Sequence, residues 1–136
     1  MVKKNKYPKV PKLPPKKFDH SYETFRGWSG KTKEIIKIKL NPKNKKEVLY
    51  FKIILLRLIQ NKWKHVLVFD TFHKGKIYLH GHIYNNLLKR KQNLENIPPI
   101  KDLKTALSWT RKYLRKNYNK HVRIYLKTIK KNENKN

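Results

Sequence analysis

The chain has no cysteine and only 8 acidic residues among its 136 positions, against 36 Lys and Arg. The lack of cysteine excludes disulfides and thiolate metal sites, so His, Asp and Glu are the only strong metal ligands. No apolar run approaches the roughly 18 to 20 residues of a membrane-spanning helix, and the first ten residues lack the apolar core of a signal peptide. These absences predict a cytoplasmic protein with no membrane partner, and the length of 136 residues predicts one domain.

The shortage of acids leaves a formal net charge of +28. Repulsion of this size opposes a compact fold, so we expect a polyanion to neutralise it. RNA is the predicted partner, with ribosomal RNA among the candidates, because no helix-turn-helix or zinc-finger pattern for duplex DNA is present. A structural role on the ribosome, next to a ribosomal protein, is one form of this prediction. No cofactor is predicted.

Residues 1–33 are predicted to form a basic, Pro-rich arm and lead-in. Between Lys3 and Lys17 the chain has seven lysines, no acid and four prolines at near threefold spacing. This spacing favours an extended polyproline II chain, which can lie along a phosphate backbone. A solvated tail without specific contacts is the alternative.

Residues 34–130 are predicted to be a single α+β domain, followed by a frayed tail over 131–136. Apolar and polar residues alternate through residues 34–84, which predicts a four-stranded antiparallel meander. The alternation is broken between Ile53 and Leu56, which indicates either a strand buried on both faces or a bulge.

A helical pattern begins at Asp102, a candidate N-cap, and runs to about Ile129. One apolar stripe with 3.6-residue spacing is expected to pack on one face of the sheet. Asn117 and Asn119 leave open a break into two helices. The opposite stripe is basic and lacks the acids that would pair with it, so we predict that it contacts phosphates. The predicted nucleic-acid-binding residues are Trp109, Lys112, Lys116, Lys120, Arg123 and Lys127.

The clearest hairpin lies between Trp63 and Tyr84, where two alternating runs flank a turn that ends in glycine. Alternation places His80 and His82 on one face of the second strand. With a three-residue loop, which we favour, Asp70 lies opposite Tyr78 and joins the histidine face. With a two-residue loop the register moves by one, and apolar residues of the first strand lie beside the histidines instead.

The run Phe69-Asp70-Thr71, followed by His73 and by His80-x-His82, resembles the Asp and clustered-His core of the TumE-like proteins. The segment from Leu103 to Tyr125 also resembles the C-terminal helix of those proteins, and the overlap covers about residues 62–126. The TumE-like proteins are associated with toxin and antitoxin loci. The resemblance therefore implies a toxin-like activity and an antitoxin as a partner.

Two interpretations of the histidine face stand beside simple RNA binding. The first is a metal-free ribonuclease, in which His80 and His82 share the acid and base roles, Asp70 orients one imidazole and Lys76 stabilises the developing charge. The second is a metal site formed by the two histidines and Asp70. The alternative to both is that the histidines are only polar residues on an exposed sheet face.

Overall fold

The computed structural model describes residues 17–73, 76–84 and 92–134. Neighbouring strands are antiparallel and lie in chain order, so the sheet is a six-stranded meander. The predicted α+β class, antiparallel sheet and long C-terminal helix are confirmed, whereas the predicted count of four strands is wrong. The Pro-rich part of the predicted arm lies outside the described residues. The elements are β1 (His20–Phe25), β2 (Thr32–Leu40), β3 (Val48–Ile59), β4 (Lys62–His73), β5 (Lys76–Ile83), β6 (Gln92–Asn93) and α1 (Leu103–Asn134).

The first strand, β1, was missed because it is exposed along its whole length and so has no apolar alternation. It forms the edge of the sheet and pairs with β2 over all six of its residues. Asp19 fixes its start, because its carboxylate accepts a hydrogen bond from the backbone N–H of Leu40 at 2.7 Å and lies 3.5 Å from Lys39 Nζ. Part of the predicted lead-in therefore belongs to the sheet. The last strand, β6, has two residues and is too short to leave a pattern.

The central strand β3 is buried on both faces. Ile53 and Leu55 belong to the main core under the helix, whereas Ile54 and Leu56 pack with Val68 on the other side. The pairing with β4 also shifts between Leu55 and Leu56. The extra residue of this shift is Val66 on β4, so burial on two faces explains the broken alternation of β3, and the bulge lies in the neighbouring strand.

The helix α1 covers one face of the sheet. Its predicted apolar stripe supplies Leu103, Ala106, Leu114, Val122 and Tyr125 to the main core. Burial of these side chains against β3 and β4 stabilises the helix far more than its intrinsic propensity does. In the part of the chain that the structure describes, no helix is long and apolar enough to cross a bilayer.

The helix α1 begins where it was predicted to begin, is unbroken and extends beyond its predicted end. Asp102 is the N-cap, since its carboxylate accepts hydrogen bonds from the backbone N–H and the hydroxyl of Thr105 at 2.8 and 2.9 Å. The helix does not break at Asn117, whose side-chain amide donates to the carbonyl of Tyr113 at 2.8 Å. It continues to Asn134 and so includes part of the predicted tail.

The face of the sheet turned away from α1 is called the open face here. Alternation around the small cluster of Ile54, Leu56 and Val68 defines which side chains belong to it. Within the described residues, no helix packs over this face. Besides that cluster, its main residues are Phe25 on β1, Lys33, Lys37 and Lys39 on β2, Tyr50 and Lys52 on β3, Trp63, His65 and Asp70 on β4, and His80 and His82 on β5.

Candidate functional site

Asp70, His80 and His82 lie together on the open face. The ladder between β4 and β5 pairs Asp70 with His80 and Val68 with His82. Side chains of directly paired residues share a face and lie close together. The two imidazole centroids are 4.9 Å apart with their planes inclined by 66°, and the ring of Tyr78 stacks on His80 at 5.9 Å. Three of the four residues proposed for catalysis are thus brought to one place.

The register of this hairpin differs from both alternatives considered from the sequence. At its end His73 pairs with Lys76, as a two-residue loop requires, so the favoured three-residue loop is wrong. Further along, β5 has one residue more than β4, and Asp70 therefore meets His80 instead of Tyr78. This irregularity restores the alternation that a two-residue loop would have reversed, and it keeps the carboxylate on the histidine face.

Thr71 lies at the point of β4 where this irregularity occurs. Its hydroxyl accepts a hydrogen bond from the backbone N–H of Phe51 at 3.1 Å and donates one to the carbonyl of Phe51 at 3.3 Å. The side chain thus takes the bonds that a backbone pair would otherwise make. The backbone of β4 leaves the regular ladder at Thr71, and the pairing with β5 shifts at the same point.

Tyr50 contacts Asp70 from the β3 side. It is buried, with 3% of its surface exposed, and its hydroxyl donates to Asp70 Oδ2 at 3.1 Å. Burial, and after it the charge of Asp70, raise the pKa of Tyr50 well above its ordinary value of 10.0. The phenol therefore keeps its proton at neutral pH and stays a donor. Asp70 is held by Tyr50 on one side and faces His80 on the other.

The cation expected near the site was predicted to be Lys76. Lys76 is the first residue of β5, and its backbone pairs with His73, but its side chain lies outside the described part of the structure, so its role stays a prediction. Lys52 on β3 is paired directly with Asp70. Lys52 and Tyr50 were not predicted from the sequence, because only the register between β3 and β4 places them beside Asp70. Alternation within one strand does not reveal that register.

The chemistry open to this cluster is proton transfer. Imidazoles accept and donate protons readily at physiological pH, and a carboxylate beside one of them can orient it. For the metal interpretation, no three His, Asp or Glu side chains within residues 17–73, 76–84 and 92–134 are grouped as a metal ion would require.

Lysines and aromatic rings alternate across the β1–β4 side of the open face. Lys33 Nζ lies 4.1 Å from the ring centre of Trp63, and Lys37 Nζ lies 5.6 Å from that of Phe18. Phe25 meets Trp63 edge-on at 6.3 Å and is 56% exposed. Lys33 also forms an ion pair with Glu23. Ammonium groups beside rings, such as that of Lys37, can bind phosphates while the rings stack on bases.

The outer side of α1 carries most of the predicted basic stripe. Five of the six predicted residues are exposed, namely Lys112, Lys116, Lys120, Arg123 and Lys127. No Asp or Glu occurs between residues 103 and 132. The cations of this stripe therefore have no acidic neighbour on their own helix before residue 133 and are available to an anionic partner.

Trp109 is the exception, and its predicted position was wrong. Its ring packs against the sheet, where it meets Phe69 edge-on at 6.1 Å and stacks on Tyr113 at 5.2 Å. The helical wheel placed Trp109 outside because it assumed a narrow buried stripe. A large ring at the margin of that stripe gains more from contact with Phe69 than from exposure to water.

Comparison with known proteins identifies the family of the chain. No curated protein and no solved structure matches the chain. The resemblance to the TumE-like proteins has no support among these comparisons and stays a hypothesis. The matching family model spans residues 21–131, which include nearly all of β1, the other five strands and all but the end of α1. The chain therefore belongs to the family described as a domain of unknown function, DUF7718.

Proposed function

We propose that this protein binds RNA in single-stranded form across the open face. The observation that carries the proposal is the mixture of lysines and accessible rings on a sheet face that has no helix over it among the described residues. Flat sheet faces with exposed rings let successive bases stack, whereas the closely spaced grooves of double-stranded RNA are read mainly by shape. Lysines next to those rings supply affinity that does not depend on sequence, through release of counterions.

The outer stripe of α1 supports the same proposal as a second phosphate-binding region. Its cations lie on the far side of the helix from the sheet, so they would contact a different segment of the RNA from the one on the open face. A protein that holds RNA on two sides suits a structural role in a ribonucleoprotein, and ribosomal RNA is one candidate. Sequencing the RNA that copurifies with the intact chain identifies the partner directly.

The charge contribution of the open face is tested with Lys37→Gln/Lys52→Gln, because these two lysines are paired across β2 and β3. The matched control is Lys43→Gln/Lys45→Gln, which removes the same charge from the exposed turn before β3. We expect the open-face variant to weaken RNA binding more than the control. Its salt dependence should also flatten by roughly 0.7 logarithmic units for each phosphate of a single strand that the variant no longer binds.

The stacking contribution is tested with two exposed rings of β1. Phe25 pairs with Lys33 and belongs to the open face, whereas Tyr22 pairs with Ile36 and lies on the other face. Their exposed fractions are similar, 56% and 51%. Phe25→Ala should weaken binding by about 1–3 kcal/mol, the usual worth of one base stacked on a ring, and Tyr22→Ala should change little. RNA does not use this face if the Lys37/Lys52 variant binds as the Lys43/Lys45 control does and Phe25→Ala binds as Tyr22→Ala does.

A second candidate function, a ribonuclease, is favoured by the pairing of Asp70 with His80 and the closeness of His82. One imidazole would take the proton of the ribose 2'-hydroxyl, whose oxygen then attacks the adjacent phosphorus. The other imidazole would donate a proton to the departing 5'-oxygen, which leaves a 2',3'-cyclic phosphate. Asp70 would orient His80, and Lys76 would stabilise the charge on the phosphorus centre.

This candidate is tested by cleavage of RNA and of DNA of the same sequence. Proton transfer without a metal requires cleavage that survives EDTA, produces a cyclic phosphate and fails on DNA. His80→Ala should abolish cleavage while RNA affinity stays nearly unchanged, because one imidazole adds little beside so many lysines. His65→Ala is the control, since His65 lies on the same face and contacts Tyr84 at 5.5 Å. Cleavage that persists in the His80 variant would leave RNA binding as the only function proposed.

A further inference from the structure

A groove runs between the edge of β5 and the segment that leads into α1. Its volume is about 810 Å³, within the range of small-molecule sites. It exists because β6 pairs with β5 over only two residues, after which the chain leaves the sheet. The departing segment is fixed at Leu94, whose N–H donates to the carbonyl of Gly81 at 2.8 Å. Pro98 and Pro99 then form part of the opposite wall.

Gly81 allows the segment after β6 to approach β5 closely at Leu94. A Cβ atom at this position would lie 3.1 Å from both Leu94 Cβ and Phe69 Cε1, which is tighter than ordinary packing. Asn96, two residues after Leu94, has a positive φ of 65° and redirects the chain along the groove. The shape of the groove therefore depends on the missing Cβ at Gly81 and on the positive φ of Asn96.

The chemistry of the groove contrasts with that of the rest of the chain. Of all residues, 36 are Lys or Arg, yet none of the described residues that line the groove is either. Its single acid, Asp102, already accepts two hydrogen bonds from Thr105. The lining combines apolar side chains such as Leu79 and Ala106 with the amides of Asn93 and Asn96. Such a surface suits a neutral, flat, polar-edged group and does not suit a phosphate.

The groove meets the open face at β5. His80 and His82 line the groove, and the same residues pair with Asp70 and Val68 on the open face. An RNA strand that crosses the lysines of the open face would reach this edge with its phosphates outside the groove. A base at the end of that path would have the groove, which is lined by no lysine or arginine among the described residues, beside it.

We propose that this groove binds one nucleobase of the RNA, with the Asn96 amide hydrogen-bonded to the base edge. The proposal rests on RNA binding at the open face and adds a site at which bases can be distinguished. Amides can donate and accept along the edge of a base, and bases in single strands present that edge freely. The stacking rings of the open face give affinity for any base, whereas the groove selects among bases.

The test uses neutral nucleosides, because they lack the phosphate that the lysines would bind. Adenosine, cytidine, guanosine and uridine are each added to the isotope-labelled full chain, and backbone amide shifts are followed by NMR. We expect at least one nucleoside to shift amides of residues 78–82, 93–97 and 100 in a saturable way. Asn96→Gly should weaken that binding by at least about fivefold, since it removes the amide and keeps a residue that tolerates positive φ.

The matched control is Asn61→Gly. Asn61 has a φ of 64° in the turn between β3 and β4, so the substitution has the same backbone consequence outside the groove. Nucleoside binding should be unchanged in this variant. No saturable shift with any nucleoside, shifts confined to other residues, or equal binding in the Asn96 and Asn61 variants would each overturn the groove proposal.

Binding of a labelled RNA of about ten nucleotides, a typical length for a single-strand site, is measured on the same samples. If the RNA binds and the nucleosides do not, only the groove proposal fails. If nucleosides bind in the groove and the RNA does not bind, RNA binding fails and the groove is a nucleoside site alone.

Discussion

The hydroxyl of Thr71 takes the place of a backbone hydrogen-bonding pair between β3 and β4, at the residue where the pairing of β4 with β5 shifts. Thr71→Val has nearly the same volume but leaves the N–H and C=O of Phe51 without these bonds in a buried environment. We expect the free energy of unfolding to fall by about 1–3 kcal/mol, the cost of leaving buried polar groups unsatisfied. Urea denaturation followed by circular dichroism measures it.

Thr110→Val is the matched control for this substitution. Thr110 is also buried, and its hydroxyl donates to the carbonyl of Ala106 at 2.8 Å. That carbonyl lies inside α1 and also accepts the regular helical hydrogen bond, so it keeps a partner when the hydroxyl is removed. The control should be close to neutral. Equal decreases in both variants would mean that the bonds of Thr71 have no special role.

The buried position of His121 predicts that the stability of the protein depends on pH. It is buried in α1, where its Nε2 lies 2.7 Å from the hydroxyl of Tyr113. Burial, and after it the charge of Lys120, lower the pKa of His121 below its ordinary value of 6.5. At pH values between the lowered pKa and 6.5, the imidazole of His121 binds a proton in the unfolded chain but not in the folded chain. The contribution of His121 to stability is therefore complete above pH 6.5 and is lost as the pH falls below it.

The measurement compares the native chain with His121→Gln at several pH values between about 7.5 and 5. The native chain should lose stability on acidification with an extra slope of up to about 1.4 kcal/mol per pH unit, the limit for one proton. The variant should lack this extra slope, whereas the contributions of the other histidines remain in both proteins. Parallel curves would contradict the assignment to His121.

Single residues also show where sequence-based prediction succeeds. Alternation alone placed His80 and His82 on one face, because it depends only on the backbone of one strand. It could not place Lys52 beside Asp70, since that contact depends on how two strands align. Trp109 was misplaced for a related reason: a helical wheel gives the direction of a side chain but not the width of the surface that meets the sheet.

The helix α1 carries its basic residues on the side away from the sheet, and this separation predicts how it contributes to binding. Replacing Lys112, Lys116, Lys120 and Arg123 with Gln should weaken RNA binding broadly, without regard to sequence. The salt dependence should flatten by roughly 0.7 logarithmic units for each phosphate of a single strand that the helix no longer binds. Fluorescence anisotropy at a series of NaCl concentrations measures both quantities.

A control with the same change in charge separates the helix from the net charge of the molecule. Replacing the exposed lysines 43, 45, 46 and 62 with Gln also removes four charges but leaves α1 unchanged. The helix variant should show the larger decrease in affinity and the flatter salt dependence. If the two variants behave alike, the helix contributes only to the general field of the molecule.

Among the elements, β2 to β5 and α1 could be predicted because each buries at least one regular stripe of apolar residues. β1 could not, because its side chains are exposed and its place depends on pairing with β2 and on ion pairs such as Glu23 with Lys33. The hairpin between β4 and β5 was predicted with the wrong loop. Its register includes one extra residue in β5, opposite the segment where Thr71 bonds to β3, and no local pattern reveals this.

The whole molecule has two basic surfaces, the open face and the outer side of α1, on opposite sides of a sheet-and-helix sandwich. A net charge of +28 on 136 residues acts against this compact arrangement. Screening by salt reduces that repulsion, because charges farther apart than about 10 Å at 0.1 M are largely screened. Salt should also weaken the proposed binding of RNA, because counterion release would drive that binding. The same salt therefore has opposite effects on the bare chain and on the complex.

This opposition gives a prediction for thermal unfolding. Without RNA, the melting temperature should rise as NaCl is increased from a few millimolar to about 0.5 M, where the Debye length is close to 4 Å. With RNA at a hundredfold excess over its dissociation constant at low salt, the complex should be stabilised by about 2.7 kcal/mol relative to the bare chain. That gain should shrink toward zero as salt rises, so the two melting curves converge. An uncharged polymer in place of RNA should give no such gain, and a melting temperature of the bare chain that falls with salt would show that self-repulsion does not limit its stability.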